Sequence, residues 1–352
     1  MDIVAVLKEA VQRKASDVFI TVGVPPTLKI DGALVCSAAE PERMTPADTQ
    51  AVAERLMTKL RDIRTFQDTG ECDFAISMPE IGRFRINAFN QRGSCAISIR
   101  RIYLELPDPD ALRIPATVLD LARLNRGLVL VTGPTGCGKT TTLAAIIDKI
   151  NRERACHVLT LEDPIEYLHR HRMSIINQRE IGTDTLSYAA GLRAAMRESP
   201  DVILIGEMRD LETISIALTA AETGHLVLST LHTVGAAKTI DRVVDIFPPN
   251  QQQQIKIQLS TVLQAVVSQQ LVPSAPFGLV PAFEIMKVNG AIRNMIREGK
   301  TPQIDGVMQM AGDQGMSTMD NSLVALFRDG AIDRDDAIHY AGNPDGIQRF
   351  LN

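Results

Sequence analysis

Eight residues whose types and spacing suit phosphate binding stand directly after an apolar run. Residues 133–140 read Gly-Pro-Thr-Gly-Cys-Gly-Lys-Thr, which is the pattern G-x-x-x-x-G-K-[ST] of a phosphate-binding loop (P-loop) between a strand and a helix. Glycine permits the sharp turn that points successive backbone N–H groups at phosphate oxygens. The N-terminal end of the following helix also favours an anion. The predicted nucleotide-binding residues of this segment are Gly133, Pro134, Thr135, Gly136, Cys137, Gly138, Lys139, Thr140 and Thr141.

Two side chains of this loop have specific expected roles. The Lys139 ammonium group is expected to reach the β- and γ-phosphates of a nucleoside triphosphate, and the Thr140 hydroxyl to bind Mg²⁺. Cys137 lies between Gly136 and Gly138 in the same loop, near a helix N-terminus and Lys139, and such surroundings favour a thiolate. On that interpretation alkylation of Cys137 blocks nucleotide binding. The simpler interpretation is that the loop needs a small residue there.

Acidic residues close two further apolar runs. Glu162 follows a strand predicted over His157–Leu161, and Glu207 follows one predicted over Val202–Ile205. The second segment has the form of a Walker B motif, with Gly206 where aspartate is usual. Hydrolysis needs one carboxylate near Mg²⁺ and one that orients the attacking water. We predict that Glu162 and Glu207 are catalytic and that Glu207 also serves the metal; the division of the two tasks stays open.

Two histidines flank the next predicted strand, Leu226–Ser229. His225 precedes it, directly after Thr223 and Gly224, and His232 follows it, directly before Thr233. A γ-phosphate sensor and an ordinary structural histidine are equally compatible with this pattern. Zinc binding is disfavoured because no cysteine or third histidine stands at ligand spacing. We predict that His232 is catalytic and that His225 contacts the nucleotide.

Arginines cluster before the P-loop. Phosphoryl transfer builds negative charge that an arginine from a neighbouring subunit can stabilise. Five arginines within 19 residues suggest that one or two face a nucleotide held by the next protomer, and we name Arg85 and Arg100 as candidates. The five are Arg83, Arg85, Arg92, Arg100 and Arg101.

Composition narrows the classes of function. The chain has 352 residues, enough for two domains, and a net charge of −5, which gives no general attraction to a nucleic-acid backbone. A nucleic-acid motor is therefore disfavoured. The five cysteines are scattered, as expected for reduced thiols in the cytosol. No apolar run approaches 18 residues, so we expect no direct membrane insertion.

The pattern of apolar runs predicts two domains. Residues 1–105 are expected to form an α+β domain, with a hairpin turn at Asp31-Gly32 and antiparallel strands near its end. Prolines mark residues 106–115 as a linker. From residue 116 to 352, strands alternate with helices, which predicts a mostly parallel sheet. The part beyond residue 250 is predicted to be largely helical, including Gln251–Gln270 and Ala291–Arg297.

Together these segments resemble the secretion ATPases of type IV pili and type II secretion, and within them the pilus retraction (PilT/PilU) group. Residues Ala291–Glu298 are similar to the helix motif of the retraction ATPases, whereas the tail Asp336–Ala341 is more similar to PilU-type members. The other segments that carry the resemblance are Gly82–Arg85, Glu162–Glu166, Gly206–Asp210, Ala220–His225 and Thr230–Thr233.

The resemblance implies an α/β protein in which an N-terminal PAS-like domain (1–105) is joined by a linker (106–115) to a RecA-like P-loop ATPase domain with C-terminal helices (116–352). It implies a homohexamer that uses ATP and Mg²⁺ to drive pilus retraction and twitching motility. Such a motor works in the cytoplasm, peripheral at the cytoplasmic face of the inner membrane. Its expected partner is the inner-membrane pilus platform protein, and a second retraction ATPase is a further candidate. The alternative is an accessory PilU-like subunit that depends on a partner motor.

Overall fold

The computed structural model describes residues 1–30, 32–102, 106 and 108–351. Asp31 of the predicted hairpin turn lies outside the described residues, as do Pro107 of the predicted linker and the last three residues of the predicted first domain. The described chain divides into two compact units. One unit comprises Met1–Glu105 with Glu166–Leu168, and the other comprises Leu106–Ile165 with His169–Asn352.

The first unit is a six-stranded antiparallel sheet with helices on one face. The sheet order is β3-β2-β1-β6-β5-β4, and every neighbouring pair is antiparallel. Its strands are β1 (Asp17–Ile20), β2 (Thr27–Ile30), β3 (Ala33–Cys36), β4 (Glu71–Met78), β5 (Gly82–Gln91) and β6 (Ser94–Ile102). Its helices are α1 (Ile3–Gln12), α2 (Pro46–Leu56) and α3 (Leu60–Thr69).

Side-chain alternation in β5 explains which face of this sheet is covered. Phe84, Ile86 and Ala88 are buried in the core of the first unit, whereas Arg83 and Arg85 lie on the opposite face, because successive side chains of a strand alternate. Arg83 and Arg85 therefore share one face of the strand. Helix α3 was not predicted as a separate element.

The second unit is built on a seven-stranded sheet in the order β13-β12-β7-β11-β10-β8-β9. All neighbours are parallel except β12 and β13. Its strands are β7 (Gly127–Thr132), β8 (His157–Glu162), β9 (Ile175–Glu180), β10 (Val202–Ile205), β11 (Leu226–Leu231), β12 (Leu263–Ser274) and β13 (Gly278–Lys287). All residues of β7, β10 and β11 are buried, since helices cover both faces of a parallel sheet.

Helices connect these strands and form the C-terminal part. Four short 3₁₀ segments, Asp120–Arg123, Thr301–Gln303, Gly312–Gln314 and Gln348–Phe350, lie among them. None of the described helices has both the length and the apolar character needed to cross a membrane. The helices are α4 (Ala116–Leu119), α5 (Lys139–Glu153), α6 (Tyr188–Ala195), α7 (Leu211–Glu222), α8 (Ala236–Asp245), α9 (Pro249–Val262), α10 (Gly290–Glu298), α11 (Ile304–Met310), α12 (Met319–Arg328), α13 (Arg334–His339) and α14 (Pro344–Ile347).

The prediction of a largely helical part beyond residue 250 is wrong for one segment. Helix α9 ends at Val262, and the chain continues as the strands β12 and β13. Strand β12 pairs in parallel with β7 and antiparallel with β13. Ala265 and Val267 are fully buried against the sheet. The apolar β-branched residues of β12 favour a strand, but the glutamine-rich stretch before them has no strand period and suggested one long helix.

The helix predicted near residue 291 is confirmed as α10. Ile292 and Ile296 are fully buried, as residues four positions apart on one face of an amphipathic helix can be. Arg293 is half-buried. Its guanidinium donates hydrogen bonds to the carbonyls of Ser260 and Thr261, 2.5 and 2.8 Å away, and so satisfies the C-terminal end of α9.

Candidate active site

The glycine-rich loop joins the carboxyl end of β7 to the start of α5. Gly133, Gly136 and Gly138 have φ values of +140°, +79° and +89°, in the region that favours glycine. Gly133 is further constrained by a close approach, because a Cβ there would lie 2.1 Å from the backbone carbonyl oxygen of Gln269. The shape of the loop therefore favours glycine at all three positions and requires it at Gly133.

Lys139, the first residue of α5, folds back over the loop. Its ammonium group donates to the carbonyl oxygens of Gly133 and Pro134, at 2.9 and 2.8 Å, and the residue is buried. The charged group thus already lies above the loop that would receive phosphates. The neighbouring Thr140 is half-buried, while Thr135 at the loop tip is exposed.

Gln269 of β12 braces the loop and was not predicted as a site residue. Its amide group donates to the carbonyl of Cys137 at 2.6 Å, and its amide oxygen accepts from the hydroxyl of Thr142 at 2.7 Å. The side chain is buried. It therefore connects the loop and α5 to the strand that was mistaken for helix.

The predicted acids and His232 lie at one edge of the sheet. The strands β7, β11, β10 and β8 are consecutive neighbours and all parallel, so their carboxyl ends share an edge. The P-loop follows β7, His232 follows β11, Glu207 follows β10, and Glu162 ends β8. With neighbouring strands about 4.8 Å apart, His232 starts one strand from the P-loop, Glu207 two strands and Glu162 three.

Glu207 is the centre of a small charged group. Its Oε2 atom lies 3.2 Å from His232 Nε2 and 2.7 Å from Arg209 Nε. Its side chain is only 18% exposed, whereas that of Arg209 is 71% exposed. The carboxylate is thus held between a histidine and an arginine that remains open to solvent.

Glu162 is held differently. It is buried, and its Oε1 atom accepts hydrogen bonds from the Thr160 hydroxyl at 2.6 Å and from the Gln178 amide at 3.0 Å. The peptide bond between Asp163 and Pro164, directly after it, is cis. The Thr160 hydroxyl and the Gln178 amide therefore help to fix Glu162 in position.

A tyrosine occupies the space beside Gly206. The Tyr188 hydroxyl lies 2.8 Å from the position that a Cβ on Gly206 would take. Burial raises the pKa of Tyr188, and the carboxylates of Asp163, Glu207 and Glu162 raise it further. Tyr188 is thus a neutral hydroxyl among the acids, and it explains why the usual Walker B aspartate would not fit at Gly206.

His225 does not join this group. It stands at the amino end of β11, where its ring Nδ1 lies 2.9 Å from the carbonyl oxygen of Ala220. His232 stands at the carboxyl end of the same strand. At about 3.3 Å per residue the two histidines are separated by roughly 20 Å. The structure therefore does not bring His225 together with His232 and the P-loop, because two residues that flank one strand lie at its opposite ends.

The two candidate arginines belong to the first unit. Arg100 Nε lies 2.9 Å from Asp17 Oδ1, and Arg85 Nε lies 3.9 Å from Asp73 Oδ1. Their side chains remain 68% and 41% exposed. The two residues are direct partners across β5 and β6. They therefore form one exposed basic pair on the first unit.

Burial shifts the pKa of two groups near the site. Cys137 is buried, and burial raises the pKa of its thiol although Lys139 opposes the change, so the structure favours the simpler interpretation that the loop needs a small residue there. His169 lies in no helix. Burial lowers the pKa of His169 to about 4, and its Nδ1 atom is buried without a hydrogen-bond partner among the described residues.

A cavity of 390 Å³ adjoins the P-loop. Gly138, Thr141 and Thr142 form its wall on the loop side, and the hairpin of β12 and β13 forms much of the rest. The Arg113 guanidinium lies over the ring of Phe277, 3.9 Å from its centre, in a cation–π arrangement. An apolar cavity with one flat cation beside a phosphate loop has the size and chemistry to accept an aromatic base.

Comparisons with known proteins agree with this geometry. The family model described as "Type II/IV secretion system protein" matches residues 1–278. The chain is 43% identical over 349 residues to the "Type IV pilus retractation ATPase PilT" of Pseudomonas aeruginosa. The matched region covers 99% of this chain and 100% of that protein. It is 38% identical over 352 residues to the "Type IV pilus ATPase PilU" of the same organism, covering 100% of this chain and 91% of the relative. A crystal structure of the pilus retraction motor PilT with bound ADP superposes with a TM-score of 0.93 at 47% identity, covering 99% of each chain.

Proposed function

Because the chain belongs to the type II/IV secretion system protein family, we propose that it is an ATPase motor that drives the retraction of type IV pili. The observation that carries the proposal is the arrangement at one sheet edge of the P-loop, His232, Glu207 and Glu162 in a chain similar to PilT from end to end. The identity is higher with PilT than with PilU, which favours a primary motor over an accessory subunit. The predicted resemblance is confirmed, and so is the fold class, an N-terminal domain followed by a RecA-like ATPase domain.

The nucleotide is proposed to bind with its phosphates on the loop of residues 133–141. Lys139 would exchange the carbonyl oxygens of Gly133 and Pro134 for β- and γ-phosphate oxygens. The base would enter the neighbouring cavity beside Thr141, against the Arg113 guanidinium. ADP bound in the similar PilT crystal structure supports nucleotide binding by this chain.

Mg²⁺ is proposed to bind through the Thr140 hydroxyl and, by way of water, through Glu207. Hard oxygen donors suit this ion, which keeps several waters and takes other ligands from the substrate phosphates. When bound, it would neutralise charge that develops on the transferred phosphoryl group. Glu207 starts two strands from the P-loop and Glu162 three, so Glu207 is the better placed of the two acids to reach the γ-phosphate region.

His232 and Glu162 are proposed to complete the site. His232 follows the strand next to the P-loop strand and contacts Glu207, so it can report the γ-phosphate to that carboxylate. Glu162 is held by Thr160 and Gln178. It would orient the attacking water, while Glu207 would hold the water that is bound to Mg²⁺. Tyr188 would keep its proton throughout, because burial raises its pKa.

We further propose that six copies form a ring in which Arg85 and Arg100 of one protomer face the nucleotide of the next. The exposure of both side chains supports this role, since a charged finger must leave its surface partner to reach phosphate. The ring would act at the cytoplasmic face of the inner membrane on the pilus platform protein, with a second retraction ATPase as a further candidate partner. The linker proposed at residues 106–115 would let the two domains move as rigid bodies during turnover.

Retraction in living cells tests the proposed function. Lys139→Ala and Glu207→Ala are expected to abolish turnover and to leave the host bacterium piliated but unable to retract its pili. Fluorescently labelled pili, observed as they extend and shorten, give the readout. Cells that lose their pili altogether in the Glu207→Ala strain would contradict retraction and indicate a motor for pilus assembly.

A further inference from the structure

The short segment that carries His232 is held by the C-terminal strand hairpin. Ser268 of β12 accepts a hydrogen bond from the Gly235 N–H at 2.9 Å, and Glu284 of β13 accepts one from the Ala236 N–H at 2.6 Å. Ser268 and Glu284 are direct partners across the hairpin. These two N–H groups belong to the start of α8, where backbone donors lack partners inside the helix.

The length of the segment makes this attachment consequential. Three residues, 232–234, separate the end of β11 from Gly235, and three residues can span at most about 10 Å. The end of β11 is fixed by its pairing with β7, and the Thr233 and Thr239 hydroxyls lie 2.7 Å apart. With both ends fixed, the position of the α8 start decides where the His232 ring can lie.

Glu284 is suited to such a fixed role. Its second oxygen accepts from the Met319 N–H at 3.3 Å, at the start of α12. One carboxylate thus lies at the N-terminal ends of two helices, where the helix dipole favours a negative charge. Burial raises the pKa of Glu284, and the two backbone hydrogen bonds oppose that change. The carboxylate is not among the groups proposed to touch the nucleotide.

We propose that Glu284, assisted by Ser268, is a positioning residue for ATP hydrolysis that holds His232 against Glu207. The inference rests on the proposed function only in assigning a catalytic consequence to this contact. Without the Glu284 carboxylate, the α8 start loses an acceptor and the segment gains freedom. His232 then spends less time 3.2 Å from the Glu207 carboxylate, and turnover falls while nucleotide binding at the P-loop is retained.

A double-mutant cycle on ATP turnover tests this role. Glu284→Ala is expected to lower kcat at least tenfold with less than a threefold change in KM, and Ser268→Ala is expected to lower kcat less, because it removes one acceptor for one N–H. In a chain that already carries His232→Ala, Glu284→Ala should lower kcat by less than threefold, since residues that act through one another are not additive. Independent effects that multiply in the double variant would overturn the proposal, as would a Glu284→Ala protein with wild-type kcat.

Glu9 provides a matched control. Its carboxylate also accepts two backbone N–H groups, those of Ala38 and Ala39, at 3.1 and 3.0 Å, but it lies in the first unit. Glu9→Ala should leave kcat within threefold of wild type, and any effect should multiply with that of His232→Ala. A cycle with Glu9 that resembles the cycle with Glu284 would overturn the specific role of Glu284.

Hydrogen exchange separates failure of this inference from failure of the proposed function. The amides of Gly235 and Ala236 should exchange at least tenfold faster in Glu284→Ala than in wild type, whether or not the protein hydrolyses ATP. Glu284→Gln, which keeps the volume and one oxygen acceptor, serves if the alanine variant does not fold, and is expected to show a smaller acceleration. Unchanged exchange in both variants overturns the inference. If the wild-type chain does not hydrolyse ATP, the proposed function is overturned. The exchange result then still shows whether Glu284 holds the start of α8.

Discussion

Replacement of Gln269 by leucine should loosen the P-loop. Leucine keeps the apolar part of this buried side chain but removes the donor for the Cys137 carbonyl and the acceptor for the Thr142 hydroxyl. A buried group left without a partner costs about 1–3 kcal/mol, and a lost hydrogen bond about 1 kcal/mol. Thr142 can turn its hydroxyl to a carbonyl of its own helix, so the Cys137 carbonyl is the group that loses its partner. We therefore expect the free energy of unfolding to fall by about 2–4 kcal/mol in total.

This free energy should appear in two measurements. In urea, Gln269→Leu should unfold with a free energy lower than wild type by about 2–4 kcal/mol. Calorimetric titration with ADP and Mg²⁺ should show at least tenfold weaker binding, which corresponds to about 1.4 kcal/mol, because the nucleotide must reorder a loop that Gln269 no longer braces.

Gln270→Leu is the matched control. The neighbouring Gln270 donates a longer hydrogen bond, 3.3 Å, to the carbonyl of Tyr340 and is only half-buried. Its replacement should change ADP binding by less than threefold. If Gln269→Leu and Gln270→Leu have the same ADP affinity and the same free energy of unfolding, the brace has no role and the reasoning from its two hydrogen bonds is refuted.

Three further predictions rest on the burial of single side chains or on a single contact. Burial lowers the pKa of His169 from 6.5 to about 4, so on acidification the unfolded chain is protonated at this histidine before the folded chain is. The free energy of unfolding should therefore fall by about 3 kcal/mol between pH 6.5 and pH 4, at about 1.4 kcal/mol per pKa unit. His169→Gln should flatten the free energy of unfolding over that range, and an unchanged slope would contradict this. Gly206→Ala should lower ATP turnover because its Cβ would meet the Tyr188 hydroxyl, and Tyr188→Phe should restore part of that activity; no restoration would refute the steric explanation. Mass spectrometry after treatment with a thiol reagent should find the exposed Cys36 labelled and the buried Cys137 unlabelled in the folded protein, whereas equal rates would show that Cys137 is accessible.

Local sequence patterns predicted the parts of the site that lie in continuous segments. The P-loop has a fixed spacing between a strand and a helix, and both elements are present as predicted. Glu162 and Glu207 were predicted because each follows an apolar strand, and parallel strands bring their carboxyl ends to one edge. His232 was found by the same rule. These residues lie together because the sheet is parallel, which the alternation of strands and helices indicates.

The remaining features depend on contacts that sequence does not show. Gln269 is 127 positions from Thr142, its hydrogen-bond partner, and it lies in a strand that was mistaken for helix. The position of His225 depends on the fold in another way, because the strand β11 separates it from His232 although both histidines flank the same short motif. The space beside Gly206 is filled by Tyr188, which no local pattern connects to the Walker B segment.

Steady-state ATP hydrolysis by the purified wild-type chain, compared with Glu207→Gln, tests the central claim most directly. The substitution keeps the size of the side chain and removes its negative charge, and ADP binding measured on the same samples reports whether the P-loop remains intact. We predict that the wild type turns over ATP and that Glu207→Gln binds ADP normally but loses at least 99% of turnover, about 3 kcal/mol of transition-state stabilisation. Undiminished hydrolysis by Glu207→Gln, with ADP binding retained, would contradict the assignment of this sheet edge as the catalytic site.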